Sequence, residues 1–228
     1  MNTTTTKNVV LNKFTAVDFL TNGSGRRILL NEISWKEYEM FLEDFEEKAG
    51  WRLSYDGRKL EITPPTPEHE EYSFNFHNFV LAYCERFEIE LEGRRSTTFR
   101  RKLLEKGVEP DECYYIQNAK KIAGKQIPAK DFPVPDVSVE VAVTTESLDK
   151  LPIYAALHVP ELWLYNGKNL VFYELQETGY QPISNSIALP QLSSEKLAEF
   201  LKMSREKGQT FALKSFRAWL NRQSENVK

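Results

Sequence analysis

The sequence predicts an α/β domain built on a mixed β-sheet flanked by helices, an α+β arrangement, and three observations carry that reading. The first is a strand–helix–strand unit in residues 134–165. Val137, Val139, Val141 and Val143 alternate with Ser138, Glu140 and Ala142, which is the period of a strand. A helical segment carrying Lys150 follows, and Glu161-Leu162-Trp163-Leu164-Tyr165 reads as a second strand. The second is a hairpin: Trp51, Leu53 and Tyr55 alternate with polar residues, Asp56-Gly57 supplies the turn, and Leu60 and Ile62 alternate on the return. The third is a pair of amphipathic helices with explicit start signals, at residues 34–47 and from Thr66 to Gly93.

The bulk composition bounds the function. A chain of 228 residues, 41% hydrophobic and 28% charged, suits one such domain with extensions and can bury a full core. A net charge of −3 with pI near 5.8 excludes a globally basic nucleic-acid binder. Contact with phosphate must then come from a local basic patch or a metal ion. Cys84 and Cys113 match no metal spacing and read as buried thiols of a reducing compartment. No run reaches the length of a membrane span, and the Thr-rich start lacks the apolar core of a signal peptide, so the expected location is cytoplasmic.

Taken in order, residues 1–33 read as an irregular arm in which Val9-Val10-Leu11 could add one strand. Ser34 is placed as an N-cap with Glu37 at the capping-box position, and Trp35, Tyr38, Phe41, Leu42 and Phe45 recur at helical spacing. In the hairpin, Glu61 falls between Leu60 and Ile62 and is expected on the solvent side. Thr66 caps the second helix with Pro67 in its first turn. Glu68, Glu70 and Glu71 favour the positive end of its dipole. His69 lies on the inward side of that turn, as either a satisfied structural group or a site group.

A basic stretch follows, with Arg94, Arg95, Arg100, Arg101, Lys102 and Lys106. It is either a solvated loop and strand or a patch facing phosphates. Two Pro-Asp pairs, Pro110-Asp111 and Pro135-Asp136, open two strands, which favours a convergence of carboxylates with Glu140. Leu170–Leu175 and a segment within 180–187 add strands after an Asn166–Asn169 turn. Ser193 starts a helix, and residues 209–223 read as a second docked helix. The aromatic, partly apolar terminal helices are compatible with a homodimer.

Several strings, in this order, carry a resemblance: Tyr55-Asp56-Gly57 with Leu60-Glu61-Ile62; Pro64-Pro65-Thr66-Pro67-Glu68-His69; Gly107-Val108-Glu109-Pro110-Asp111-Glu112; Pro135-Asp136-Val137-Ser138-Val139-Glu140-Val141; Lys150 with Tyr154-Ala155; and Val159-Pro160-Glu161-Leu162-Trp163. Over roughly residues 34–200 the chain resembles the Uma2 family of restriction-endonuclease-like proteins. That family was once catalogued as a domain of unknown function, DUF820, and is abundant in cyanobacteria; it is similar in turn to the PD-(D/E)XK nuclease superfamily. No single string is specific; the ordered set is.

The resemblance implies a restriction-endonuclease-like domain over 34–203, preceded by the arm and followed by a helical extension at 204–228. It implies an endonuclease that hydrolyses phosphodiester bonds of DNA with Mg²⁺ or Mn²⁺ and without a nucleotide cofactor. Asp111 matches the acidic residue of the PD motif and Glu140 the first acidic position of (D/E)XK, the two metal ligands. The lysine of that motif is replaced by Ala142, and Lys150 is the candidate substitute. Asp136, Glu61, Glu68 and His69 match recurrent positions with supporting roles. Arg94, Arg95, Arg100, Arg101 and Lys102 are expected at the nucleic acid on charge alone. Ala142 keeps a rival reading open: a fold retained as a binding module for nucleic acid or a partner protein, without catalysis.

Overall fold

The chain builds two β-sheets and passes between them three times, the last through the short linker Glu109-Pro110-Asp111. The computed structural model describes residues 27–45, 50–64, 66–95, 97–127, 132–142 and 148–225. The strand expected at residues 9–11 and the position of Val143 lie outside them. The first sheet is antiparallel and runs β1 (Ile28–Leu30), β3 (Leu60–Thr63), β2 (Arg52–Tyr55), β6 (Lys106–Val108), β5 (Phe99–Arg101). The second runs β11 (Gly179–Ile183), β10 (Leu170–Gln176), β9 (Glu161–Tyr165), β8 (Val137–Val141), β7 (Glu112–Tyr115), β4 (Glu92–Gly93). Within it β8 and β9 are parallel, as a strand–helix–strand crossover requires, and the other pairs are antiparallel.

Local sequence explains the elements. Helix α1 (Trp35–Phe45) begins at the predicted capping box: the Ser34 amide donates to Glu37 Oε2 at 2.8 Å. It lays Trp35, Tyr38 and Phe45 on Leu53, Tyr55, Leu60 and Ile62 of the first sheet. The β2–β3 turn is a four-residue loop, not the two-residue form that Asp-Gly suggested. Of its two expected positive-φ residues only Gly57 is in that region, at φ +96. The Asp56 carboxylate instead accepts the amides of Arg58 and Lys59 at 2.9 and 2.6 Å, which holds the wider loop.

Helix α2 (Pro67–Phe87) is capped by Thr66, whose hydroxyl accepts the His69 amide at 3.2 Å. It ends six residues before Gly93, through Glu88 in the left-handed region with its amide bonded to the Cys84 carbonyl; Gly93 belongs to β4. With α5 (Ser194–Lys207) and α6 (Gln209–Glu225) it covers one face of the second sheet, burying Tyr72, Phe76, Val139, Trp163, Leu201 and Phe216 in one core. On the opposite face Cys113, Tyr115 and Leu162 pack against Ile153 and Tyr154 of α4 (Leu151–Ala156) and against Phe99 and Val108 of the first sheet. A short α3 (Ala119–Ile122) buries Ile122 there too. The second sheet is therefore covered on both faces, and polar side chains pointing out of β7 and β8 are buried. Among the described residues no helix is long and apolar enough to cross a membrane.

Candidate active site

Asp111 is fixed by the strand beside it. Its amide donates to the Val139 carbonyl at 3.0 Å, and its Oδ2 accepts the Val141 amide at 2.7 Å, so its backbone and side chain together clasp β8 on either side of Glu140. Glu140, between those two valines, points to the α4 face of the sheet. Its Oε2 lies 2.7 Å from Lys150 Nζ and its Oε1 accepts the Tyr154 hydroxyl at 2.5 Å. Lys150 is the N-cap of α4 rather than a residue within the helix. Its amine also stands 3.7 Å from Glu61 Oε1 of β3. Glu61 is 1% exposed, which corrects the solvent-facing position expected from alternation. Its Oε2 accepts the Leu148 amide at 2.7 Å and faces Arg27 Nε at 3.6 Å.

On the other flank Arg52 of β2, also buried, places Nε 2.9 Å from Asp111 Oδ1 and Nη2 3.0 Å from Glu70 Oε1. Arg95 holds the other oxygen of Glu70 at 2.8 Å. The described charges thus run Arg95, Glu70, Arg52, Asp111, Glu140, Lys150, Glu61, Arg27. They alternate in sign everywhere except between Asp111 and Glu140. Burial raises the proton affinity of both carboxyls; Arg52 and Lys150 oppose it at Asp111, and Lys150 opposes it at Glu140 while Asp111 adds to it. For Lys150, burial favours the neutral amine, but Glu140, Glu61 and Asp111 outweigh it and keep the ammonium. A cavity of about 120 Å³ opens beside Glu140, Lys150 and Arg27, floored by Ala142, Leu162 and Leu164. The small side chain of Ala142 leaves this space open.

The other expected site residues are placed as follows. His69 is 4% exposed, and both of its ring nitrogens are buried without a hydrogen bond. Burial, then Arg52, Lys150 and Arg27, hold it below the usual imidazole range, against Glu140, so it is a neutral neighbour of the same charges. Glu68 points away and pairs with Arg205 at 2.8 Å. Asp136 is a loop clamp, accepting the Ile116 amide, the Asn118 amide and the Asn118 side chain at 2.7, 3.0 and 2.5 Å. The basic stretch is partly neutralised by the protein itself: Arg94 pairs with Glu92 at 2.9 Å, Arg95 with Glu70, and Arg100 stands 3.9 Å from Glu39. Arg101 donates to a backbone carbonyl, and neither it nor Lys102 meets a carboxylate among the described residues. Sequence reasoning missed Arg52, Arg27 and the role of Tyr154.

The mixed second sheet, covered by helices on one face and by α4 and the first sheet on the other, places the chain in the restriction-endonuclease-like class of folds. The chain belongs to the Uma2 family, described as putative restriction endonucleases, which it matches over residues 35–205. It is similar in fold to the crystal structure of a putative nuclease belonging to DUF820 from Anabaena variabilis, with a TM-score of 0.51 at 15% identity; the match covers 74% of this chain and 99% of that one. No curated protein matches it.

Proposed function

We propose that the protein is a divalent-metal-dependent endonuclease that hydrolyses phosphodiester bonds of DNA. The observation that carries this reading is the junction of Asp111 and Glu140: two buried carboxylates, with Asp111 bonded to the backbone on either side of Glu140, at the one place where the run of described charges fails to alternate. A cation between them would complete it. Among the described residues no three His, Cys, Asp or Glu side chains are grouped as a metal cage. Two carboxylates nevertheless fit Mg²⁺, which keeps several waters and is commonly held by one or two protein oxygens plus substrate phosphate. Asp111 Oδ1 is buried with no hydrogen bond, so a lone pair is available to such an ion. The bound ion would supply Lewis-acid stabilisation of the phosphate and a more acidic water.

The chain's own groups do the rest. The Val141 amide fixes the direction of Asp111, and Tyr154 fixes that of Glu140. Lys150, held as an ammonium at the edge of the cavity, provides a point charge where the scissile phosphate gains negative charge, taking the place that Ala142 leaves empty. Arg101 and Lys102, without acidic partners among the described residues, are the members of the basic stretch suited to the DNA backbone. A cytoplasmic location suits two buried free thiols.

The test is cleavage of plasmid and single-stranded DNA by rigorously purified protein with Mg²⁺, Mn²⁺ or chelator. Asp111→Asn and Glu140→Gln are each expected to lose at least about a hundredfold in rate. Equal residual cleavage in both variants would refute the reading. The rival binding-module reading has one observation in its favour: Arg52 and Lys150 already neutralise both carboxylates internally. DNA binding that survives in both variants, with no cleavage by the parent protein in any metal, would select it.

A further inference from the structure

Arg52 touches Asp111 in a particular way. Its Nη1 donates to the Gly50 carbonyl at 3.1 Å and its Nη2 to Glu70 at 3.0 Å. Its Nε stands 2.9 Å from Asp111 Oδ1, yet the two atoms are not aligned for a hydrogen bond, and each is buried without one. The other Asp111 oxygen is committed to the Val141 amide. The guanidinium therefore supplies charge to Oδ1 without consuming its lone pair.

We propose that Arg52 is a resident counter-ion of Asp111, which a divalent cation displaces from Oδ1 while the two Nη anchors on Gly50 and Glu70 stay in place. The inference rests on the metal-dependent reading above. It makes Arg52 a positioning residue: it holds a positive charge against Asp111 Oδ1 when no metal is bound, and it yields by giving up a single contact. The cost is reciprocal, because whatever the ion takes from the Arg52–Asp111 contact is subtracted from the affinity of the site for the ion. Glu70 sets the balance. It shares the guanidinium with Asp111, so removing its charge leaves Arg52 attracted to Asp111 alone.

The experiment uses the full chain, with Mg²⁺ and Mn²⁺ binding followed by calorimetry in the absence of DNA. In parallel the Arg52 Nε–H resonance, assigned by its loss in Arg52→Gln, is followed by NMR. Arg52→Gln is expected to bind the ion more tightly by at least about fivefold, the lower end of ordinary coupling between sites. Glu70→Gln should bind it more weakly, and that weakening should vanish in the Arg52→Gln background. The Nε–H resonance should move with the midpoint of ion binding. If the parent protein binds the ion while that resonance stays fixed, or while Arg52→Gln binds no more tightly, displacement is overturned and the metal site stands. If the parent protein binds no divalent cation, the metal-dependent reading falls and this inference falls with it. Should Arg52→Gln fail to fold, the parent resonance can be assigned from the sequential backbone, and its response together with Glu70→Gln decides.

Discussion

Replacing Lys150 with methionine keeps the stem and removes the charge, and the structure sets the size of the effect. The amine lies 2.7 Å from Glu140 and 3.7 Å from Glu61, with 14% of its side chain exposed against 3% and 1% for the two carboxylates. Breaking a buried pair by removing one partner costs about 3–5 kcal/mol. The cost depends on pH, and the sign follows from linkage. Burial already lifts the Glu140 carboxyl above its ordinary range, and Lys150 is the largest influence pulling it back down. Without the amine the folded state holds the Glu140 proton more strongly still. A carboxyl whose folded pKa exceeds its unfolded one gives stability that is full below the unfolded pKa and is lost as pH rises towards the folded one. The loss can reach ~1.4 kcal/mol per pH unit for each such group. Lys150→Met should therefore be nearly neutral at pH 5 and most destabilised at pH 8. Adding Glu140→Gln should recover part of the loss at pH 8 by removing the stranded charge. Urea unfolding at the two pH values, read by circular dichroism, measures all of this. A cost below about 1 kcal/mol at pH 8, or one indifferent to pH, would refute the view that Lys150 neutralises this site.

Four further outcomes are expected. Tyr154→Phe strips the hydroxyl from Glu140 Oε1 and should cost about 1.5–3 kcal/mol in unfolding free energy, the range for a hydrogen bond to a charged group. Glu112, buried on β7, has its carboxyl pushed up to about 8 by burial against the opposing pull of Arg95. The parent protein should lose stability as pH rises from 5 to 8, and Glu112→Gln, which cannot titrate, should exceed it by on the order of 3 kcal/mol at pH 7 but not at pH 4. Asp136→Ala removes the acceptor of three hydrogen bonds and should lower stability by about 3 kcal/mol while leaving the midpoint of Mg²⁺ binding unchanged, which separates a clamp from a site residue. Gly107→Ala would set a Cβ 2.0 Å from the hydroxyl of the fully buried Tyr38 and should cost about 1–3 kcal/mol, with Tyr38→Phe relieving part of it in thermal melts of the pair.

The legible parts of this chain were those governed by local rules. Alternation located β8, a short apolar run located β9, the capping box located α1, and the two Pro-Asp pairs marked the starts of β7 and β8. What failed depends on distant chain. Alternation sent Glu61 to solvent because it assumes one wet face, whereas every residue of β3 is buried between α1 and the second sheet's crossover. Arg52 was hidden for the same reason on β2. The basic stretch looked free because two of its acids, Glu39 and Glu70, lie far away in sequence. Asp136 and Asp111 carry the same Pro-Asp signature, and only the fold shows that one clamps a loop while the other meets β8. Lys150 was placed inside a helix; it caps one, yet still reaches Glu140.

Glu61 belongs to the first sheet, but it receives the Leu148 amide and faces the Lys150 amine, both from the crossover between β8 and β9 of the second. Arg52 makes the mirror connection, from β2 to Asp111 at the entry of β7. Each acidic group proposed for the chemistry thus lies beside a cation whose placement depends on the opposite sheet. A chain that has formed only one of its two sheets has carboxylates but no assembled site. The hydrolytic competence proposed for the chain would then be a property of the docked pair, arising only when folding is complete.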